Sequence, residues 1–388
     1  MPVTGGPTEV DRVRALREVL TATGAGIYLA THVAGPVPAE TLTAVHESDE
    51  LELRIGRVGR DRPDDLEQRE KEARAVAAAA IKASPERVVL AHGVPEATRA
   101  IALELLARSE KAVPRVIAIA GLEQAVVDAV RSVAEAVGAD FDLLAQAPQI
   151  LAADVELVVM AHVQPDGGLN DVTRVAETVH KADAQLLLDA GMSVGALPLE
   201  VGSLGADGLI AATHRWLLGP DAMALAWLAP GLGEDLPGRL RQSTGPFGRG
   251  ALLALARSVG WLLMYIDLPW AVTRTRYLAK ELYGAIAGIA GIEISADPAA
   301  HGALIGIRIE GWDAEQAADE LSRSVFAIVD VDPDADVIRA SVGAWNREDE
   351  LDRFVERLAE LAEHTPETLP RKPSLTVLSG PLDPEEEA

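Results

Sequence analysis

The sequence predicts an α/β fold, with a mostly parallel sheet in a large domain followed by a smaller α+β C-terminal domain. Two features carry that expectation. Between residues 64 and 230, helical patterns alternate with short apolar runs bounded by turn residues, as in a parallel sheet covered by helices on both faces. Beyond about residue 260 the alternation gives way to long helices flanking short strands. At 388 residues the chain has room for two domains and a sizeable buried core.

The elements follow in order. Arg87-Val88-Val89-Leu90, Val116-Ile117-Ala118-Ile119, Leu157-Val158-Val159-Met160, Gln185-Leu186-Leu187-Leu188 and Leu209-Ile210-Ala211 read as buried strands, and residues 222–229 as an antiparallel partner. Residues 65–83, 96–108, 125–137 and 171–182 have helical length and spacing. In the second part, residues 271–287 and 314–322 read as helices, and 303–309 and 337–341 as strands. The expected organisation is an N-terminal segment, 1–22, packing on the small domain; a large domain, 23–260; a small domain, 261–365; and a proline-rich, acidic tail, 366–388, that is extended or disordered. The apolar stretch 251–272 contains Arg257, Asp267 and Pro269, so it is expected to be one buried helix at a domain junction or dimer face rather than a membrane span.

Composition excludes several functions. With 60 acidic against 35 basic residues, a net charge of −25 argues against nucleic acid and anionic membranes as partners and leaves small metabolites open. Cysteine is absent, so the chain has no disulfide, thiolate metal site or thiol nucleophile. Met1-Pro2-Val3-Thr4-Gly5-Gly6 lacks the basic and apolar regions of a secretory signal, giving a cytoplasmic location as the expectation.

Ligands of such sheets bind beyond the carboxyl ends of the strands. Motifs gather there: Gly93-Val94-Pro95-Glu96-Ala97, Glu123-Gln124-Ala125-Val126, His162-Val163-Gln164-Pro165-Asp166-Gly167-Gly168, Asp189-Ala190-Gly191-Met192-Ser193-Val194-Gly195 and Thr213-His214-Arg215-Trp216-Leu217-Leu218-Gly219-Pro220. With Tyr28-Leu29-Ala30-Thr31-His32-Val33-Ala34-Gly35-Pro36 before them, and Arg339-Ala340-Ser341-Val342, Asn346, Glu350 and Phe354 after them, this order resembles the class V aminotransferases and cysteine desulfurases, pyridoxal phosphate (PLP) proteins of fold type I. The resemblance runs over most of the chain. It implies a fold-type-I PLP-transferase architecture, PLP as cofactor and a homodimer with pockets at the subunit interface. Ser243-Thr244-Gly245-Pro246-Phe247-Gly248 resembles the loop that reaches the neighbour's phosphate site.

Measured against that family, the pocket positions are altered. Arg215 stands where the family's lysine holds PLP as a Schiff base; a guanidinium is always protonated and cannot supply the free amine. Pro95 replaces a hydroxyl and a backbone N–H of the phosphate cup, and Ala212 replaces a serine of the same cup. At roughly 1.5–3 kcal/mol for each charge-assisted hydrogen bond, three missing donors weaken phosphate binding by several orders of magnitude. Gln124 stands for the ring-stacking histidine, Pro165 for an asparagine and Met192 for a glutamine. Two groups survive: Asp189, which in the family keeps the ring nitrogen protonated, and Arg339, in the place of the arginine that grips a substrate carboxylate, where half of an ion pair is the equal alternative. His214 is read as a satisfied pocket residue rather than a ligand contact. Asp189 without a cofactor would be a costly buried charge, so Arg215 or ordered water is expected to satisfy it.

PLP is therefore expected to be absent or weakly bound. The expected function is that of a noncatalytic or altered homologue, binding another small ligand or supporting a partner as a homodimer or as a heterodimer with a lysine-bearing paralogue. The alternative is an active PLP-dependent aminotransferase or lyase acting on an amino acid. A persulfide-forming desulfurase is excluded by the lack of cysteine.

Overall fold

The computed structural model describes residues 8–296 and 300–370. Its strands are β1 (Ile27–Tyr28), β2 (Val88–Ala91), β3 (Arg115–Ile119), β4 (Asp140–Leu144), β5 (Val155–Ala161), β6 (Gln185–Asp189), β7 (Gly208–Ala212), β8 (Ala224–Leu228), β9 (Ile292–Ile294), β10 (Leu304–Ile309), β11 (Ala327–Ile328), β12 (Asp330–Asp332) and β13 (Val337–Ser341). The helices are α1 (Glu9–Val19), α2 (Ala39–Ile55), α3 (Arg62–Ala80), α4 (Val94–Leu106), α5 (Gln124–Val137), α6 (Val172–Lys181), α7 (Leu236–Ser243), α8 (Arg249–Trp261), α9 (Leu268–Ala287), α10 (Ala314–Val325) and α11 (Glu348–Ala362).

Seven strands form one sheet in the order β2-β8-β7-β6-β5-β3-β4, with β8 antiparallel to both neighbours and the remaining pairs parallel. The apolar runs are buried on both faces, as parallel strands between helices must be; every residue of β5 is buried, and Glu156 is tolerated there because Ser109 Oγ donates to it at 2.5 Å. A second sheet, β12-β13-β10-β9, is antiparallel.

The expected strands are present, and the helices start or end within three residues of expectation. Edge strand β4 escaped the sequence reading because Asp140 and Asp142 interrupt its apolar residues. Arg115 neutralises both, at 3.0 and 2.7 Å, and holds Asp154 at 3.0 Å.

The stretch 251–272 departs from expectation. Rather than one helix, α8 ends in a π-helical turn, Leu262–Ile266, and Asp267 adopts φ +73° before α9 begins with Pro269 in its first turn. Residues Arg249–Ile266 are long and apolar enough to cross a membrane by length and composition. In the fold, α8 packs on α2 and α3, burying Leu252, Leu255 and Val259, while Arg249 bonds Asp65 and Ser48 at 2.9 Å each.

Helix α1 is tied to later elements: Arg17 pairs with Glu350 at 2.8 Å, and buried Arg274 of α9 joins Glu9 to Glu348 and the Ala344 and Asn346 carbonyls. Of the expected tail, residues 366–370 end in a turn, Thr368 N–H bonding the Thr365 carbonyl at 3.0 Å; 371–388 lie outside the described residues.

Candidate ligand site

In the large sheet the chain reverses direction between β3 and β5: β4 lies on one side of β3 and β5, β6 and β7 on the other. Such a switch point opens a crevice at the carboxyl ends of the strands. The loops there carry Glu123 after β3, His162 after β5, Asp189 at the end of β6 and Arg215 after β7. Segment 29–35 and the end of β13 close the other side, because Ala30 bridges Ser341, and Gly35 N–H bonds the His214 carbonyl at 2.7 Å.

Arg215 is 9% exposed and ion-paired with Glu123, the N-cap residue of α5. It does not form an ion pair with Asp189, the first of the two partners expected for that carboxylate. Asp189 Oδ1 instead accepts the Gly191 N–H at 2.9 Å. A Cβ at Gly191 would lie 2.8 Å from Arg215 Nη1 and 3.1 Å from Asp189 Oδ1, so both charged groups crowd the space beside this glycine. Burial, reinforced by the Glu123 charge, pushes the Asp189 carboxyl up to about 6, against the Gly191 N–H and Arg215. The distribution has a reason: Glu123 reaches Arg215 from a partly exposed position, so pairing there desolvates only one of the two charges.

Arg339 is likewise occupied, pairing with Asp332 and lying 3.9 Å from Asp330. That is the ion-pair reading of this residue. Asp330 also meets His32 Nε2 at 3.2 Å, and His32 Nδ1 meets Ser341 Oγ at 2.8 Å. The order of residues is that of a hydrolase triad. Ser341, however, is fully buried and accepts the His32 backbone N–H at 2.9 Å, so it anchors segment 29–35 and is not placed as a nucleophile. Burial holds His32 below the usual imidazole range, and the bond from His32 keeps Asp330 low.

The other predicted positions separate. Gln124 is exposed, its amide donating to Asp128 one turn along α5 at 2.7 Å, away from a stacking role. Pro165 packs beside Gly121, where a Cβ would be 3.5 Å from its ring. Met192 packs partly buried against the core, and Ala212 is buried at the end of β7. Pro95 is the second residue of α4, and the helix is undisturbed. His214 has a backbone hydrogen bond at Val33 while its Nδ1 is buried without a protein partner, and burial together with Arg215 lowers its pKa. His162 is pushed down to about 4 by burial, and its Nδ1 is also unpartnered. Thr31 Oγ1, Ser193 Oγ and Arg215 Nε, on the same segments, lack protein partners as well. Phe247, in the segment resembling a loop that reaches a neighbour, stacks on His92 of its own chain at 4.1 Å.

Sequence reasoning assigned no role to Glu123, His32, Asp330 or Asp332. Charge balance was the available signal for the first: an arginine in a buried motif requires a carboxylate. Among the described residues, no lysine stands on a loop at the carboxyl edge. Lys82, Lys111 and Lys181 precede strands, Lys71 pairs with Glu67 on α3, and Lys280 is exposed on α9.

The architecture is that of PLP proteins of fold type I. Residues 27–354 match the Aminotransferase class-V family, and the chain belongs to it. It is similar to a kynureninase of Pseudomonas fluorescens, 30% identical over 110 residues, covering 28% of this chain and 26% of that one. It is also similar to a probable cysteine desulfurase of Chlamydia trachomatis serovar D, 25% identical over 251 residues, covering 55% of this chain and 61% of that one. Each match thus spans less than two thirds of the curated relative's length. Among solved structures, the apo cysteine desulfurase from Thermococcus onnurineus NA1 superimposes with a TM-score of 0.76 at 16% identity, covering 94% of this chain and all of that one. The cystine C-S lyase C-DES, in complex with its reaction product cysteine persulfide, gives 0.77 at 14% identity, over 88% and 99% of the two chains. At these identities the likeness shows the fold.

Proposed function

We propose that this class V chain does not use PLP chemistry, and that it acts as a ligand-binding or supporting subunit in a dimer. The observation that carries this reading is Arg215, which stands where the motif would place an aldehyde-trapping amine and is buried in an ion pair with Glu123. A guanidinium so held supplies no nucleophilic nitrogen. The surrounding charge supports it. Asp189, Glu123, Asp330 and Asp332 oppose two guanidiniums, leaving an acidic cleft in which a phosphate dianion would be repelled. The residues present therefore do not fit PLP. Unpartnered polar atoms on Thr31, His162, Ser193, His214 and Arg215 favour a role in binding, since buried polar groups are normally satisfied by something.

The test is direct. Purified protein is incubated with excess PLP, dialysed, and examined for an absorbance band near the visible edge. No retained band is expected; a stoichiometric band surviving dialysis refutes the proposal and favours an active aminotransferase or lyase.

A further inference from the structure

We infer that the groove between α9 and the connection from β6 to β7 is a binding site for a small phosphate-bearing ligand, held by Arg276 and Lys280. This goes beyond the reading above and stands on different residues. The groove has a volume of about 590 Å³ and lies where α9 meets Pro198 of that connection. A hollow of this size at a junction between structural units suits a small molecule. Arg276, Tyr277 and Lys280 share one face of α9, since residues three and four apart are neighbours on a helix. Arg276 and Lys280 thus set like charges one turn apart, an arrangement that weakens a helix unless an anion relieves it. Among the described residues neither meets a carboxylate, and none lines the groove. Carboxylates are not scarce, with 60 acidic against 35 basic residues, and on the opposite face of the same helix Arg274 is held by Glu9 and Glu348. The bare cations are therefore a local departure from the charge balance of the chain. His301 lines the groove as well. Its Nδ1 meets the Gly302 carbonyl at 2.7 Å and its ring stacks on buried Tyr283 at 4.5 Å, which fixes the ring and leaves Nε2 without a partner among the described residues. Gly302 is held in turn: its N–H bonds the Gly167 carbonyl at 2.8 Å, and a Cβ there would lie 2.8 Å from Val163 Cγ1. A guanidinium fork and an ammonium together match the charge of a phosphate monoester, and the Tyr277 hydroxyl offers a neutral donor beside them. Tyr277 is 49% exposed, so its ring is open to the body of such a ligand.

The experiment titrates the full chain with phenyl phosphate by calorimetry at pH 7.5 and fixed ionic strength, with succinate as a dianion that lacks phosphorus. Saturable one-to-one binding of phenyl phosphate is expected, with a dissociation constant of about 1 mM or tighter. Arg276→Gln/Lys280→Gln is expected to weaken it by about tenfold or more, because both charge-assisted contacts are lost. Arg54→Gln/Lys181→Gln removes the same charge from exposed positions elsewhere and is expected to change it by less than about twofold. All four positions are exposed, and circular dichroism verifies the fold of each variant. The inference is overturned if the parent shows no saturable binding, if the folded Arg276→Gln/Lys280→Gln variant binds as the parent does, or if the control pair loses as much. Succinate binding as tightly as phenyl phosphate would overturn the assignment of the ligand as a phosphate. None of these outcomes depends on whether the cleft retains pyridoxal phosphate, so failure here and failure of the function proposed above are distinguishable.

Discussion

Asp189 shows how a single carboxylate couples the cleft to stability. Its pKa rises from an ordinary 3.8 to about 6 on folding, so between those values the folded state holds the proton more tightly than the unfolded chain. Stability contributed by this group is therefore present at low pH and lost as pH rises from about 4 to 6, and ionisation weakens the folded state by about 3 kcal/mol above that window. Asp189→Asn keeps an acceptor for the Gly191 N–H and removes the charge. Thermal unfolding of the variant is expected to begin a few degrees higher than that of the parent at pH 7.5, with the gap narrowing as pH falls through 4.5 and nearly closed below about 4; equal midpoints across this range would show that the carboxylate is not strained. That position 215 carries no amine was legible from residue type alone, because no environment turns a guanidinium into one. Its partner was not legible: Glu123 lies 92 positions away, and its choice over Asp189 depends on which carboxylate keeps contact with water.

At the level of elements, the segment after β7 is clamped. Gly35 presses against it so closely that a Cβ would lie 2.2 Å from the Arg215 carbonyl oxygen and 2.5 Å from Leu218 Cδ2. Leu218 itself takes φ +57° while fully buried. Trp216 ties the same segment to the second sheet through Nε1–H to the Val342 carbonyl at 2.8 Å. Gly35→Ala must displace backbone, and chemical denaturation is expected to show a loss of about 3 kcal/mol or more, beyond ordinary overpacking; a loss under about 1 kcal/mol would mean that the turn is free to move. Alternating apolar runs and helical periods made the central strands readable, since both signals are local. Edge strand β4 was hidden because its stabilisation comes from Arg115, on a different strand. The break between α8 and α9 was hidden because composition alone does not locate a π-helical turn, although Asp267 and Pro269 marked the place.

For the whole molecule, the proposed association predicts a light-scattering mass of twice the 40.9 kDa chain, and a monomer would count against both the homodimer and the paired-paralogue form. Ordered motifs and the alternation of strands and helices were enough to specify the α/β architecture and the family, because each is written in contiguous residues. They also determined that the cleft carries no amine at position 215 and that the chain has no thiol. Only the tertiary structure decided how the charges are distributed: Arg215 to Glu123, Arg339 to Asp332, His32 between Asp330 and Ser341, and Asp189 with only a backbone donor. The physical reason is that ion pairing depends on distance and desolvation across the fold, and residues from the carboxyl edges of several strands meet only once the sheet has assembled.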